Sequence, residues 1–458
     1  MAEITAQEIA KKTGGKIIQG NPNYCFQKFG IDSRRTEQGE LFVAIKGERD
    51  GHEFVEDALR KGARGAIVSK KINISQKDFI LIKVKDTLEA LHRLARSILN
   101  NHSLKVVGIT GSIGKTTTKE FAFSLISDSF KVLKSEGNYN NQLGLPLTLL
   151  KLSREHEVAI LEMAMNLPGE IRILTQIAPP DVAVITNINP VHLQYIGNIE
   201  NIAWEKKQIL EGAKENATAV LNGDDPLVQK IAQDWKGKKV TFGYSKLNDI
   251  RAEEIESKGF EGFTLNFICG KEKVKINLPF LYETYISNFL AASAIAHSLQ
   301  VEFKDILSRT KSLKTFARRG VLFDLGENIK LIDDSYNSNP VALNSVLGSL
   351  ARLPAKRKVA VLGDMLELGE KEIEYHKQAG KTLCLTGWDV LVTVGPLSRY
   401  MAQTALSLCM KKENVFSFED SDEAAEKISI LLKAGDLVLV KGSRGIKTEK
   451  IVDKLMGV

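Results

Sequence analysis

Several things are scarce in this sequence, and each scarcity excludes something. Cysteine occurs four times in 458 residues (Cys25, Cys269, Cys384 and Cys409), with no C-x-x-C pair. That spacing predicts neither a zinc site nor a disulfide framework, so reduced thiols are the expectation. No apolar run reaches the about 18 residues a membrane-spanning helix needs. The first residues, MAEITAQEIAKKTGG, lack an apolar signal core and read as a capped helix, with Thr5 and Glu8 as a capping box and Gly14-Gly15 as its end. Basic residues form no run: 63 Lys and Arg against 56 Asp and Glu leave a net charge of +7, dispersed along the chain. A nucleic-acid reader would show a basic stripe, so no nucleic acid is expected as a partner.

What remains is an ordinary globular composition, 43% hydrophobic and 26% charged. The length suits about three domains. Residues 1–85 alternate short strands and helices, with LFVAIKG and GAIVS as strands around the helix EFVEDALRKGA. DTLEALHRLARSILNN carries an apolar stripe at Leu88, Leu91, Leu94, Ala95 and Ile98 and opens a second unit, 86–314. There KVVGIT, EVAILEMA, DVAVITNI and ATAVLN are short apolar runs suited to buried parallel strands. Helical segments separate them, the pattern of a parallel α/β sheet. Residues 239–278 read as antiparallel hairpins. A third unit, 315–458, has strands at NIKLI, KVAVLG, DVLVTVG and DLVLVKG and reads as a doubly wound, Rossmann-like domain.

Residues 108–120 read GITGSIGKTTTKE. An apolar strand, a glycine turn and a helix start are the grammar of a phosphate-cradling loop. The backbone N–H groups of residues 111–116 are expected to face phosphates. Lys115 would reach the outer phosphate oxygens, and Thr116 or Thr117 would place a hydroxyl on Mg²⁺. Glu162 ends an apolar strand, where ligands of open α/β sheets sit. His192 follows another strand in TNINPVHL, and Lys206-Lys207 lie in a helix. DDSYNSNP (333–340), GDMLELGE (363–370) and KGSRG (441–445) are three polar clusters, each at a strand end of the third unit. Burying that much polarity is costly unless ligands or hydrogen bonds use it, which points to one shared cleft.

Taken in order, GITGSIGKTTTKE, LEMAMNLPGEI, TNINPVHL, LNGDDP, DDSYNSNP, GDMLELGE and VKGSRG resemble the bacterial Mur ligases over nearly the whole chain. DSRRTEQGELFVAIKGERDGHEF resembles their uridine-nucleotide domain. The resemblance implies a UDP-binding domain, a central ATPase domain and a C-terminal Rossmann-like domain. It implies ATP-dependent ligation through an acyl phosphate, joining D-alanyl-D-alanine to UDP-MurNAc-tripeptide in the cytoplasm, by a monomer. It implies an ATP site of Gly111, Ser112, Ile113, Gly114, Lys115, Thr116, Thr117, Asn222, Asn288, Arg319 and Asp334. Thr116 and Glu162 are implied for a first Mg²⁺ and His192 for a second. Lys206 is implied to carry a carbamate from CO₂ at the metal site. Lys115, His192, Lys206 and Arg319 are thereby implied as catalytic. Ser33, Arg34 and Lys46 are implied to hold the UDP-sugar, and Tyr336, Asn337 and Asn339 to lie near the incoming dipeptide. Arg318 competes with Arg319, and spacing to Asp333 favours Arg319.

Overall fold

The computed structural model describes residues 3–191 and 193–457. His192 therefore lies outside the described residues. The apolar runs become strands of three main sheets. The first sheet has five strands, with Gly65–Val68 at its middle between Leu41–Val43 and Ile80–Lys83. The stretch predicted as one helix over 53–63 is shorter, a 3₁₀ turn at Gly51–Phe54 and then Val55–Arg60. The Asp50 carboxylate accepts the His52 amide and caps that turn.

The helix Thr87–Asn100 starts where Asp86 accepts the Glu89 amide. Its apolar stripe joins one core cluster that holds Ile9 and Ile82 of the first unit and Leu145 and Leu149 of the second. It thus packs against both the first unit and the central one.

The central sheet has nine strands. Lys105–Thr110 lies between Val158–Glu162 and Val182–Ile185, all parallel. From Lys105–Thr110 the chain first goes out on one side to the edge strand Val132–Lys134 and then comes back to insert Val158–Glu162 between the two. It then crosses to Val182–Ile185, Thr218–Asn222 and Lys238–Gly243 on the other. That reversal opens a crevice at the carboxyl end of Lys105–Thr110. Of the residues read as hairpins, 239–278, the first stretch corrects that reading, because Lys238–Gly243 is a parallel strand of this sheet. Ile250–Ser257 pairs parallel with Lys238–Gly243, and the antiparallel strands Phe263–Cys269 and Glu272–Leu278 extend the same sheet. Helices Lys115–Ile126 and Thr284–Ser298 pack together over one face, with Phe121, Phe289 and Phe267 in its core.

The third sheet has six strands, five of them parallel, with Val321–Asp324 antiparallel at one edge. Asp436–Lys441, last in the chain, inserts between Lys330–Asp334 and Arg357–Gly363. One insertion thereby brings the carboxyl ends of the three strands carrying polar clusters side by side. The expectation of four free thiols fails here. Cys384, on Glu372–Thr386, is bonded to Cys409, which ends Arg399–Leu408, with Cα atoms 5.7 Å apart. Packing of two helices brings together thiols 25 residues apart in the chain, which spacing alone does not reveal. Cys25 and Cys269 are free. No helix of the described residues is long and apolar enough to cross a membrane.

Candidate active site

Strand Lys105–Thr110 runs into a glycine turn, and helix Lys115–Ile126 begins at once. Gly114 takes φ +84°, which lets the chain turn without a Cβ penalty. The turn is clamped from beneath by Thr186, Asn187 and Asn189. Thr186 Oγ1 and Asn187 Nδ2 donate to the Ile113 carbonyl at 2.7 and 3.0 Å. The Ser112 amide donates to the Asn187 carbonyl, and the Ile113 amide to Asn187 Oδ1, both at 3.0 Å. This corrects the expectation that every amide from 111 to 116 faces phosphate, because two are committed to the neighbouring strand end. The open first turn beginning at Lys115 supplies amides instead.

Lys115 Nζ donates to the Gly111 and Ser112 carbonyls at 2.7 and 3.3 Å. Burial first and the nearby Arg319 charge second lower its pKa, while Glu162 opposes them. Thr116 Oγ1 donates to Glu162 Oε2 at 2.9 Å, and Asn140 Nδ2 donates to Glu162 Oε1 at 2.9 Å. Glu162 is 2% exposed, so its charge has few partners but those. A carboxylate and a hydroxyl, both hard oxygen donors beside a phosphate loop, fit Mg²⁺, which takes one or two protein oxygens and completes its shell with phosphate and water. Among the described residues there is no cluster of three His, Cys, Asp or Glu that would form a closed metal cage.

The third unit closes over this loop. Arg319 Nη2 lies 3.4 Å from Thr116 Oγ1, and its guanidinium stacks 4.1 Å from the Tyr336 ring centroid. Arg318 turns away at φ +62°, toward Glu449 and Asp453. A cavity of about 500 Å³ lies between the units. Ser112, Ile113, Gly114, Lys115, Thr116 and Thr117 line it from the loop. Glu162 and Asn288 line it from the central unit, and Arg319, Asp334, Tyr336, Asn337 and Asn339 from the third. Asp334 is 6% exposed, and burial raises its pKa against the pull of Lys441 and Arg319.

Other predicted residues are not at the cavity wall. Gly111 contributes its carbonyl to Lys115 from behind the loop. Asn222 Nδ2 donates to the Thr186 carbonyl at 2.9 Å. Lys206 is 2% exposed inside helix Ile199–Glu211, with its pKa pushed well down by burial first and by the Lys115 charge second. Lys207 lies outside, paired with Asp234 and stacked on the exposed Trp204. Ser33, Arg34 and Lys46 sit on the first unit: Ser33 is buried, Arg34 pairs with Asp32, and Lys46 is exposed. They do not line this cavity.

Sequence reasoning missed Asn138, Asn140, Asn141, Tyr282 and Tyr285, which line it, and had Lys441, also in the lining, only as part of the KGSRG cluster. The asparagine-rich GNYNN before a helix was a usable signal. The two tyrosines, in an apolar stretch, were not.

Three family models match the chain: "Mur ligase family, catalytic domain" over 26–98, "Mur ligase middle domain" over 109–296, and "Mur ligase, glutamate ligase domain" over 318–444. The UDP-N-acetylmuramoyl-tripeptide–D-alanyl-D-alanine ligase of Bacillus subtilis (strain 168) is 34% identical, with 100% of this chain and 99% of that protein covered. The crystal structure of MurF from Acinetobacter baumannii superposes with a TM-score of 0.91 at 29% identity, covering 100% of both chains. MurF ligase from Thermotoga maritima, solved in complex with ADP, matches with a TM-score of 0.82 at 32% identity, covering 94% of this chain and 97% of that one. With its loop, its closing third unit and these matches along its full length, the chain belongs to the Mur ligase family.

Proposed function

We propose that this protein uses ATP to join D-alanyl-D-alanine to UDP-N-acetylmuramoyl-tripeptide, releasing ADP and phosphate. The observation that carries this reading is the meeting of Lys115, the Thr116–Glu162 pair and Arg319 at one cavity, faced by Asp334, Tyr336 and Asn337. The relatives named for this reaction match over the whole chain.

The tripeptide carboxylate attacks the γ-phosphate of ATP, and ADP leaves. Two anions must approach, so cations have to offset their repulsion. Lys115 swings from its loop carbonyls onto the phosphates. Arg319 brings a second positive charge from the third unit. Thr116 and Glu162 would hold Mg²⁺, which supplies further charge neutralisation at the phosphates. The dipeptide amine then attacks the acyl phosphate carbonyl, a tetrahedral intermediate forms, and phosphate departs as the amide closes. The third unit over the cavity keeps water from the acyl phosphate. Asp334 and Asn288 serve the nucleotide, and Tyr336, Asn337 and Asn339 the dipeptide.

Lys206 carries a carbamate formed with CO₂. Its buried amine is held toward the neutral, nucleophilic form; that amine adds to CO₂, releases a proton and becomes an anion suited to a metal. His192 would be a ligand of a second metal ion, adding charge neutralisation near the reacting carboxylate. Ser33, Arg34 and Lys46 hold the UDP-sugar on the first unit, beyond the cavity. The units divide as 1–85, 86–314 and 315–458. The enzyme acts as a monomer in the cytoplasm, where its nucleotide substrates are made.

The test supplies ATP, Mg²⁺ and UDP-MurNAc-tripeptide with and without D-alanyl-D-alanine. Dipeptide-dependent phosphate release and a pentapeptide product by mass are expected. Phosphate release indifferent to the dipeptide, with no pentapeptide, refutes the reading.

A further inference from the structure

The KGSRG cluster contains a buried cation that the reaction above does not use. Lys441 ends strand Asp436–Lys441 and is 4% exposed. It is the parallel partner of Asp334 on the neighbouring strand. Its Nζ donates to Asp334 Oδ2 at 2.7 Å and to the Asn337 carbonyl at 2.9 Å. Lys441 also lines the cavity shared with Lys115 and Arg319.

A buried ion pair is a poor device for stability. Removing two charges from water costs as much as their attraction returns, and an apolar pair of the same size often does as well. The placement of this one is more informative than its energy. Each residue after Asp334 has its own tether. Ser335 donates from its amide and hydroxyl to Asp333 Oδ1 at 3.0 and 2.6 Å. The Tyr336 amide donates to the Arg318 carbonyl at 3.1 Å. The Ser338 carbonyl accepts from Ser443 Oγ at 3.2 Å. Asn339 Oδ1 caps the next helix by accepting the Ala342 amide at 2.9 Å. Of these tethers, the Lys441 ammonium reaches both the acid at the cavity and the backbone of the segment that presents Tyr336, Asn337 and Asn339. Burial pushes the Asp334 carboxyl toward its neutral form, and the Lys441 charge is the largest influence holding it ionised.

We infer that Lys441 is a positioning residue of the ligation site, coupling Asp334 on the nucleotide side to the 335–339 segment on the amine side. It acts through those groups and not on the reacting atoms. The inference rests on the ligase reading, and it adds a residue to the machinery of that site. The coupling has a consequence: loss of Lys441 disturbs the sites of two substrates at once and leaves the third, held on the first unit, alone.

The experiment measures steady-state kinetics of the full chain for all three substrates, in wild type, Lys441→Met, Asp334→Asn and the double variant. Thermal unfolding is followed on the same samples. In Lys441→Met, KM for ATP and for D-alanyl-D-alanine are each expected to rise about tenfold. KM for UDP-MurNAc-tripeptide is expected to stay within about twofold. The double variant is expected to show a KM for ATP no higher than the worse single, because both changes break one link. If all three KM values stand while kcat falls with the folded fraction, Lys441 is merely structural and the inference is overturned. Multiplicative effects in the double variant overturn it equally, since Lys441 would not then act through Asp334. If Lys441→Met does not fold, Lys441→Gln, which keeps a donor but no charge, replaces it and must show the same split. Wild type that makes no pentapeptide refutes the ligase reading itself, a result separate from any of these.

Discussion

Substituting Gly114 with alanine tests whether the loop's shape, rather than its composition, makes the site. Gly114 sits at φ +84°, where an L-residue costs about 1–2 kcal/mol. A Cβ there would also lie 2.2 Å from Asn288 Oδ1. That oxygen accepts a 3.4 Å hydrogen bond from Thr118 Oγ1, so moving it forfeits about 1 kcal/mol more. The total, about 2–3 kcal/mol, must appear in one of two places. If the loop keeps its shape, the central unit loses that much stability. If the loop relaxes, nucleotide binding has to restore the shape, and affinity falls by about 30- to 150-fold. Guanidinium unfolding and calorimetric titration with a non-hydrolysable ATP analogue and Mg²⁺ measure the two quantities on one sample. Adding Asn288→Ala removes the obstructing oxygen and leaves the backbone strain, so the double variant should still carry about 1–2 kcal/mol of loss. Losses in stability and affinity that together fall under about 0.5 kcal/mol would refute the argument, because that is the range of an unremarkable surface change.

Lys206→Ala is expected to cost about 100-fold or more in rate, with partial recovery when a short carboxylate such as acetate is added. Undiminished turnover would move the carbamate elsewhere. Arg357 donates to Asp436 from Nε at 2.9 Å and Nη2 at 2.6 Å, and Asp436 is 1% exposed. Arg357→Met leaves that carboxylate only the Lys433 amide, at 2.8 Å, and should destabilise the third unit by about 3 kcal/mol in guanidinium unfolding, and a loss below about 1 kcal/mol would count against the pair. Burial pushes the Cys269 thiol up to about 11, so at pH 8 it stays protonated while the exposed Cys25 is free to react. Iodoacetamide labelling read by peptide mass should therefore modify Cys25 alone in the folded, unreduced protein. The peptides bearing Cys384 and Cys409 should be recovered joined, and free thiols at both would refute that pairing.

Much of the fold was legible because its signals are local. A buried parallel strand must be apolar on both faces, so KVVGIT, EVAILEMA and DVAVITNI announced themselves. Caps are equally local: Asp86 and Asn339 each accept an amide three residues on. The strands within 239–278 were also visible, but that Lys238–Gly243 pairs parallel on both sides, and so joins the rest to the central sheet, is stated by no local pattern. The phosphate loop was legible for the same reason as the strands, because strand, turn and helix follow one another directly. Which of its amides remain for a ligand was not, since Asn187 takes two of them from more than 70 residues away.

By itself, then, the sequence determined the order of elements, the phosphate loop, the polar strand ends and, through its ordered motifs, the family. These are properties of neighbours in the chain, and neighbours are set by covalent geometry and side-chain period. Only the tertiary structure decided that Arg319 and not Arg318 reaches Thr116, and that Lys206 is buried while Lys207, half-buried, pairs with the exposed Asp234. It alone joined Cys384 to Cys409 and laid Lys441 against Asp334. Each of those outcomes follows from strand order and helix packing between distant segments. A strand that enters a sheet last can sit between two that came much earlier, and the charges at its end then belong to a site that no local stretch contains.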